Sequence, residues 1–176
     1  MTETKMKPFY DREIQKELFT WWAGLEEHHR GDRPELRRCA TPDAVLLTEA
    51  YHRARRKLAN AGLNVSKNHA ELATVIGLLA HVRTHAPLKK GKSLGAQMAG
   101  SSADGAPVSG LRFRRLLQVD SRDQIYRRLM GVIRLLNQSV DINLLANDAY
   151  YWSPETDNKV RQNWAMDYYG HAPQES

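Results

Sequence analysis

Ser121-Arg122-Asp123-Gln124-Ile125-Tyr126-Arg127-Arg128-Leu129-Met130-Gly131-Val132-Ile133-Arg134-Leu135-Leu136 reads as one amphipathic helix. Ile125, Leu129, Val132, Ile133 and Leu136 recur at the three- and four-residue intervals that line one helical face. Ser121 with Gln124 three residues on is the pattern of a capped start. Arg127 and Arg134 lie seven apart on a second stripe, with Gly131 between them. Two readings of Gly131 stand side by side. It lets a partner's backbone approach closely, or, more plainly, it is a tolerated helix defect costing about 1 kcal/mol.

The same period extends outward in both directions. Ile14, Leu18, Trp21, Trp22 and Leu25 share a face of a first helix, expected to stop before Gly31. Trp21 and Trp22 are adjacent, so one should anchor the core while the other meets a different part of the protein or a partner. Asp32 and Glu35 suggest a capping box for a short helix carrying Arg37 and Arg38. Thr41-Pro42-Asp43 opens another, with Leu47, Tyr51, Ala54 and Leu58 inward, Arg53 and Arg56 outward, and Gly62 as its end. Asn68 and Glu71 mark the next start, before Leu72, Val75, Ile76, Leu79 and Val82.

Residues 86–110 have loop composition, with one turn of helix expected at 94–99. Ser109 caps a helix over Leu111-Arg112-Phe113-Arg114-Arg115-Leu116-Leu117, Asp141 opens a short one, and Ser153-Pro154-Glu155 starts the last, ending at Gly170. No stretch alternates with period two. The expected fold is therefore all-α, a helical bundle of six to eight helices. Its expected organisation is an N-terminal helical half (1–88), a basic, Gly- and Ser-rich loop (89–108) and a C-terminal helical half (109–176).

Charge is segregated along this chain. Between Arg30 and Arg134 stand 20 Lys and Arg against 8 Asp and Glu, whereas the other residues carry 6 basic and 12 acidic groups. Seventeen of the 26 basic residues are arginine, whose planar fork matches phosphate oxygens. Such a surface suits a polyanion. The candidate nucleic-acid contacts are Arg37, Arg38, Arg53, Arg56, Lys89, Lys90, Lys92, Arg112, Arg114 and Arg115. Phe113, Leu116 and Leu117 occupy one arc of their helix, and Arg112 and Arg115, one turn apart, can flank successive phosphates. Tyr150, Tyr151, Trp152, Trp164, Tyr168 and Tyr169 could stack on unpaired bases, but their helical spacing favours a packed C-terminus.

Signatures of catalysis are missing from the sequence. His81 and His85 have metal-pair spacing without the glutamate of a zinc hydrolase, and are expected to face solvent. Asp120, Asp123, Asp141 and Asp148 are expected to serve as caps and helix-start charges rather than as a two-metal site. Cys39 is the only cysteine, which excludes an internal disulfide. The charged segment Met1 to Lys16 lacks the apolar core of a signal peptide, and no apolar run is long enough to span a bilayer, so a cytoplasmic protein without membrane contact or cofactor is expected.

Four stretches together resemble one family. Trp21-Trp22-Ala23-Gly24-Leu25 with Arg30 to Cys39, Ser93-Leu94-Gly95 with Leu111 to Asp120, Asp141 to Leu145, and Trp164 to Tyr169 are similar to CasB, the small subunit of the type I-E CRISPR Cascade surveillance complex. The resemblance implies an all-α, non-catalytic subunit paired with a second copy along the crRNA-bearing backbone. Its partners would be the other Cascade subunits, crRNA and target DNA, including the displaced single strand of the R-loop. Carried over residue by residue, the family's basic contacts fall on Arg38, Lys89, Lys90, Arg112 and Arg115. Two other readings remain: a metal-dependent nucleic-acid-processing enzyme, and a helical scaffold whose basic face meets an acidic protein.

Overall fold

Helix α5 (His69–Leu79) is buried on every side from Leu72 onward. The structure is a computed structural model that describes residues 8–101, 105–155 and 159–171. Among the described residues are ten α-helices, a 3-10 turn at Pro8–Tyr10 and one two-stranded sheet. The fold is all-α, as the periodicity requires. Helices α3 (Pro42–Leu46), α4 (Glu49–Asn60), α8 (Arg122–Leu135) and α9 (Ile142–Tyr151) all pack on α5. Buried side chains from both sides of the 89–108 segment join a single hydrophobic cluster.

Two helices exceed the six to eight expected, and each has a local cause. The helix expected from Thr41 to Gly62 is broken after Leu46, because Thr48 caps a new start by accepting the Tyr51 amide at 3.1 Å. Leu47 falls at the break and is 88% exposed, so it is not a core residue. Helix α6 (Leu94–Ala99), capped by Ser93, is the turn of helix expected at 94–99 and is counted here as a helix of its own. It packs against α10 (Lys159–His171) so closely that a Cβ on Gly95 would collide with the Trp164 carbonyl.

Other starts differ from expectation in their chemistry. Asp32 does not cap α2 (Asp32–Arg37) but lies inside its first turn, buried and bonded elsewhere. Asn68 takes a left-handed conformation and donates its side-chain amide to the Tyr150 hydroxyl instead of capping α5. Ser153-Pro154-Glu155 is not helical; the last helix is described over Lys159–His171, through Gly170, and residues 156–158 lie outside the described residues, as do 1–7. The sheet was not foreseen: Thr84–His85 (β1) pairs in parallel with Ser139–Val140 (β2), too short to show alternation. Helix α1 (Arg12–Glu27) buries both tryptophans, Trp21 in the core and Trp22 with its indole N–H donating to the Val82 carbonyl at 3.1 Å.

Candidate nucleic-acid interface

Helix α7 (Gly110–Leu117) is placed by its apolar face. Ser109 caps it, and Phe113 and Leu116 are buried. The Phe113 ring stacks on Tyr168 of α10, with centroids 3.9 Å apart and planes 10° from parallel. The Tyr168 hydroxyl then donates to the Val108 carbonyl at 2.7 Å, pinning the residue just ahead of the helix. With that face fixed, Arg112, Arg114 and Arg115 must project from the surface, and all three are exposed.

Between α7 and α8 runs a groove of about 200 Å³. Arg112 and Arg115 line it from α7, and Arg127 and Arg128 from α8, over a floor of Val108, Leu116, Gly131, Val132 and Leu135. None of the four guanidinium groups has an ion-pair or hydrogen-bond partner among the described residues. Four uncompensated cations on one groove repel one another, a cost that a bound polyanion would remove.

Arg134 stands exposed in the last turn of α8. His81 is buried where α2, α5 and α8 meet, and its imidazole is held down to about pKa 4 by burial, then by the positive fields of Arg37, Arg134 and Arg33. Arg33 and Arg37 come from α2 and Arg134 from α8. Arg134 in turn shares a helical stripe with Arg127. His81 itself is not solvent-facing, contrary to expectation, while His85 accepts the Ile142 amide at Nδ1, 3.2 Å away.

Other arginines are engaged in the fold. Arg53 closes a two-bond fork on Asp32, Nη2 to Oδ1 at 2.6 Å and Nε to Oδ2 at 3.1 Å, and also reaches Glu49. Asp32, buried on α2, holds this guanidinium in its charged form well above the ordinary range. Arg53 therefore belongs to the α2–α4 packing rather than to the open surface, whereas Arg56 is exposed on the same helix. Arg122 donates to Thr74, to the Ala149 and Trp152 carbonyls, and covers the Trp152 ring. Arg161 donates to the Val119 carbonyl, and Arg33 to the Val82 carbonyl.

Lys89, Lys90 and Lys92 line a separate cavity of about 610 Å³ against α9 and α10, which shares no lining residue with the arginine groove. Arg38 is exposed at the C-terminal end of α2. Sequence reading missed Arg128; its signal was adjacency to Arg127 opposite the Ile125 and Leu129 face. The C-terminal aromatics are mostly core: Trp152, Trp164 and Tyr168 are buried, leaving Tyr151 and Tyr169 exposed.

Two of the four carboxylates considered for a metal site, Asp141 and Asp148, hold structure instead. Asp141 caps α9 by accepting the Asn143 and Leu144 amides, and also takes the Leu88 amide. Asp148, expected at a helix start, sits within α9 and accepts the Trp164 indole N–H at 2.8 Å. Among the described residues no group of three or more His, Cys, Asp or Glu side chains is placed to hold a metal ion. Nor is any helix among them long and apolar enough to cross a membrane.

The family model of the CRISPR-associated protein Cse2 matches residues 32–169, which takes in α2 through most of α10 and both arginine clusters. The Trp21-Trp22 block precedes the matched residues. No curated protein and no solved structure matches the chain.

Proposed function

The chain belongs to the CRISPR-associated Cse2 family, and from that premise we propose that it is a non-catalytic Cascade subunit that grips nucleic-acid backbone through the arginine groove between α7 and α8. Its partners in this reading are the other Cascade subunits, crRNA and target DNA, with a second copy of the chain alongside. The strand held is part of the R-loop, including the displaced single strand. Guide pairing reads sequence, and this subunit supplies charge along the backbone.

One observation carries the reading: Arg112, Arg115, Arg127 and Arg128 converge on a single groove, and none of their guanidinium groups has an ion-pair partner among the described residues. Arg37, Arg38, Arg56 and Arg114 are further exposed candidates, and Lys89, Lys90 and Lys92 are others, on a cavity whose lining also holds Asp141, Asp148, Glu155 and Asp167. Arg53 is left out because Asp32 holds it.

The test uses purified chain, labelled single-stranded DNA and magnesium. Retention that weakens with salt, without cleavage, supports the reading; metal-dependent products would replace it with an enzyme. Co-purification with the other Cascade subunits and crRNA tests the assembly.

A further inference from the structure

We propose that Gly131 is the clearance point at which a single nucleic-acid strand lays one sugar–phosphate unit into the α7–α8 groove. This rests on the backbone-binding reading above and names the group that enters the groove and the residue that admits it.

Nothing in the fold asks for glycine at this position. Gly131 sits inside α8, its backbone is not among those with positive φ, and a Cβ placed on it would meet nothing within 4 Å. Gly77 and Gly95 differ: a Cβ on Gly77 would meet the Tyr126 side chain and Val45, and one on Gly95 the Trp164 backbone. A glycine within a helix weakens it relative to alanine, so an uncrowded one is a cost without a structural return. What Gly131 does face is the groove floor.

The position suits a backbone passing along α8. Arg128 and Arg127 stand one turn before Gly131, and Arg134 one turn after it. Arg127 and Arg134 are separated by about 10 Å of helix rise, with the glycine in the gap. The groove is amphipathic: Leu116, Val132, Leu135 and Val108 give apolar surface, and four guanidinium groups border it. A pentose flanked by phosphates matches both features, with carbon faces for the floor and anions for the arginines. An inorganic anion would use only the arginines.

The experiment measures anisotropy of a labelled single-stranded oligonucleotide against the full-length chain, with thermal melting of each variant in parallel. Gly131→Ala should raise the melting temperature by about 2 to 4 °C while weakening binding about threefold. Gly131→Met, a good helix former that fills the floor, should weaken binding about tenfold without lowering the melting temperature. Arg112→Ala with Arg127→Ala serves as the reference for the groove itself. If that pair loses binding while both glycine variants bind as wild type, the clearance role is overturned and the arginine groove stands. If the pair binds as wild type, the groove reading falls and the clearance role with it. A fall in melting temperature for Gly131→Ala would assign the glycine to the fold and overturn the proposal. So would equal displacement of the oligonucleotide by a polyglutamate peptide at matched charge, which would make the occupant an acidic protein segment.

Discussion

Phe113 of α7 lies flat against Tyr168 of α10, 3.9 Å between ring centroids, and this stack decides which way the arginine helix faces. Phe113 is fully buried, so truncation removes the stack and opens a cavity. Phe113→Ala should cost about 3 to 5 kcal/mol, measured by denaturant unfolding. A loss below about 1 kcal/mol would mean that α7 is held by something else.

The Arg53–Asp32 fork predicts a different kind of loss. Asp32 is buried, so Arg53→Ala leaves an unpaired carboxylate between α2 and α4. The expected destabilisation is about 2 to 4 kcal/mol. Arg56→Ala, on the exposed side of the same helix, should stay within about 0.5 kcal/mol. Equal effects in the two variants would contradict the division between structural and open arginines.

His81 gives a pH dependence whose sign follows from its burial. Its folded pKa is depressed to about 4 from an ordinary 6.5, so the unfolded chain takes up the proton first. The stability that this ring contributes is fully present above about pH 6.5 and is lost as pH falls toward 4, by about 1 to 2 kcal/mol after allowance for the exposed arginines. His81→Gln should flatten that part of the stability curve relative to wild type. An unchanged slope would show that His81 is protonated as readily folded as unfolded.

Much of this architecture is local and could be read in the chain. Ile125, Leu129 and Ile133 repeat at helical spacing and are core; Ser109, Ser121 and Asp141 cap the helices they precede. Leu47 deceived because it keeps helical spacing with Tyr51, so periodicity runs straight through a break marked only by the Thr48 hydroxyl. The two-residue strands are shorter than any period can register.

The candidate surface was legible as charge and not as geometry. Arg53 and Arg56 look alike in sequence, and what separates them is Asp32, 21 residues away. His81 read as exposed because helical spacing says nothing of what α2 and α8 bring over the end of α5. That Arg37 and Arg134 act on the same ring is likewise a product of tertiary packing. Arg128 and the groove floor emerge only when α7 is seated by Phe113.

The central claim, that exposed arginines hold a nucleic-acid backbone by charge, is tested most directly by the salt dependence of single-strand binding. For wild type, neutralising about four to six phosphates gives a log-log slope of about −3 to −4. Arg38→Ala, Arg112→Ala and Arg115→Ala combined should leave the melting temperature nearly unchanged, since all three side chains are exposed. The slope should become shallower by about 2, with affinity lowered to a similar extent on every sequence tested. A triple variant that keeps the wild-type slope and affinity would contradict the account.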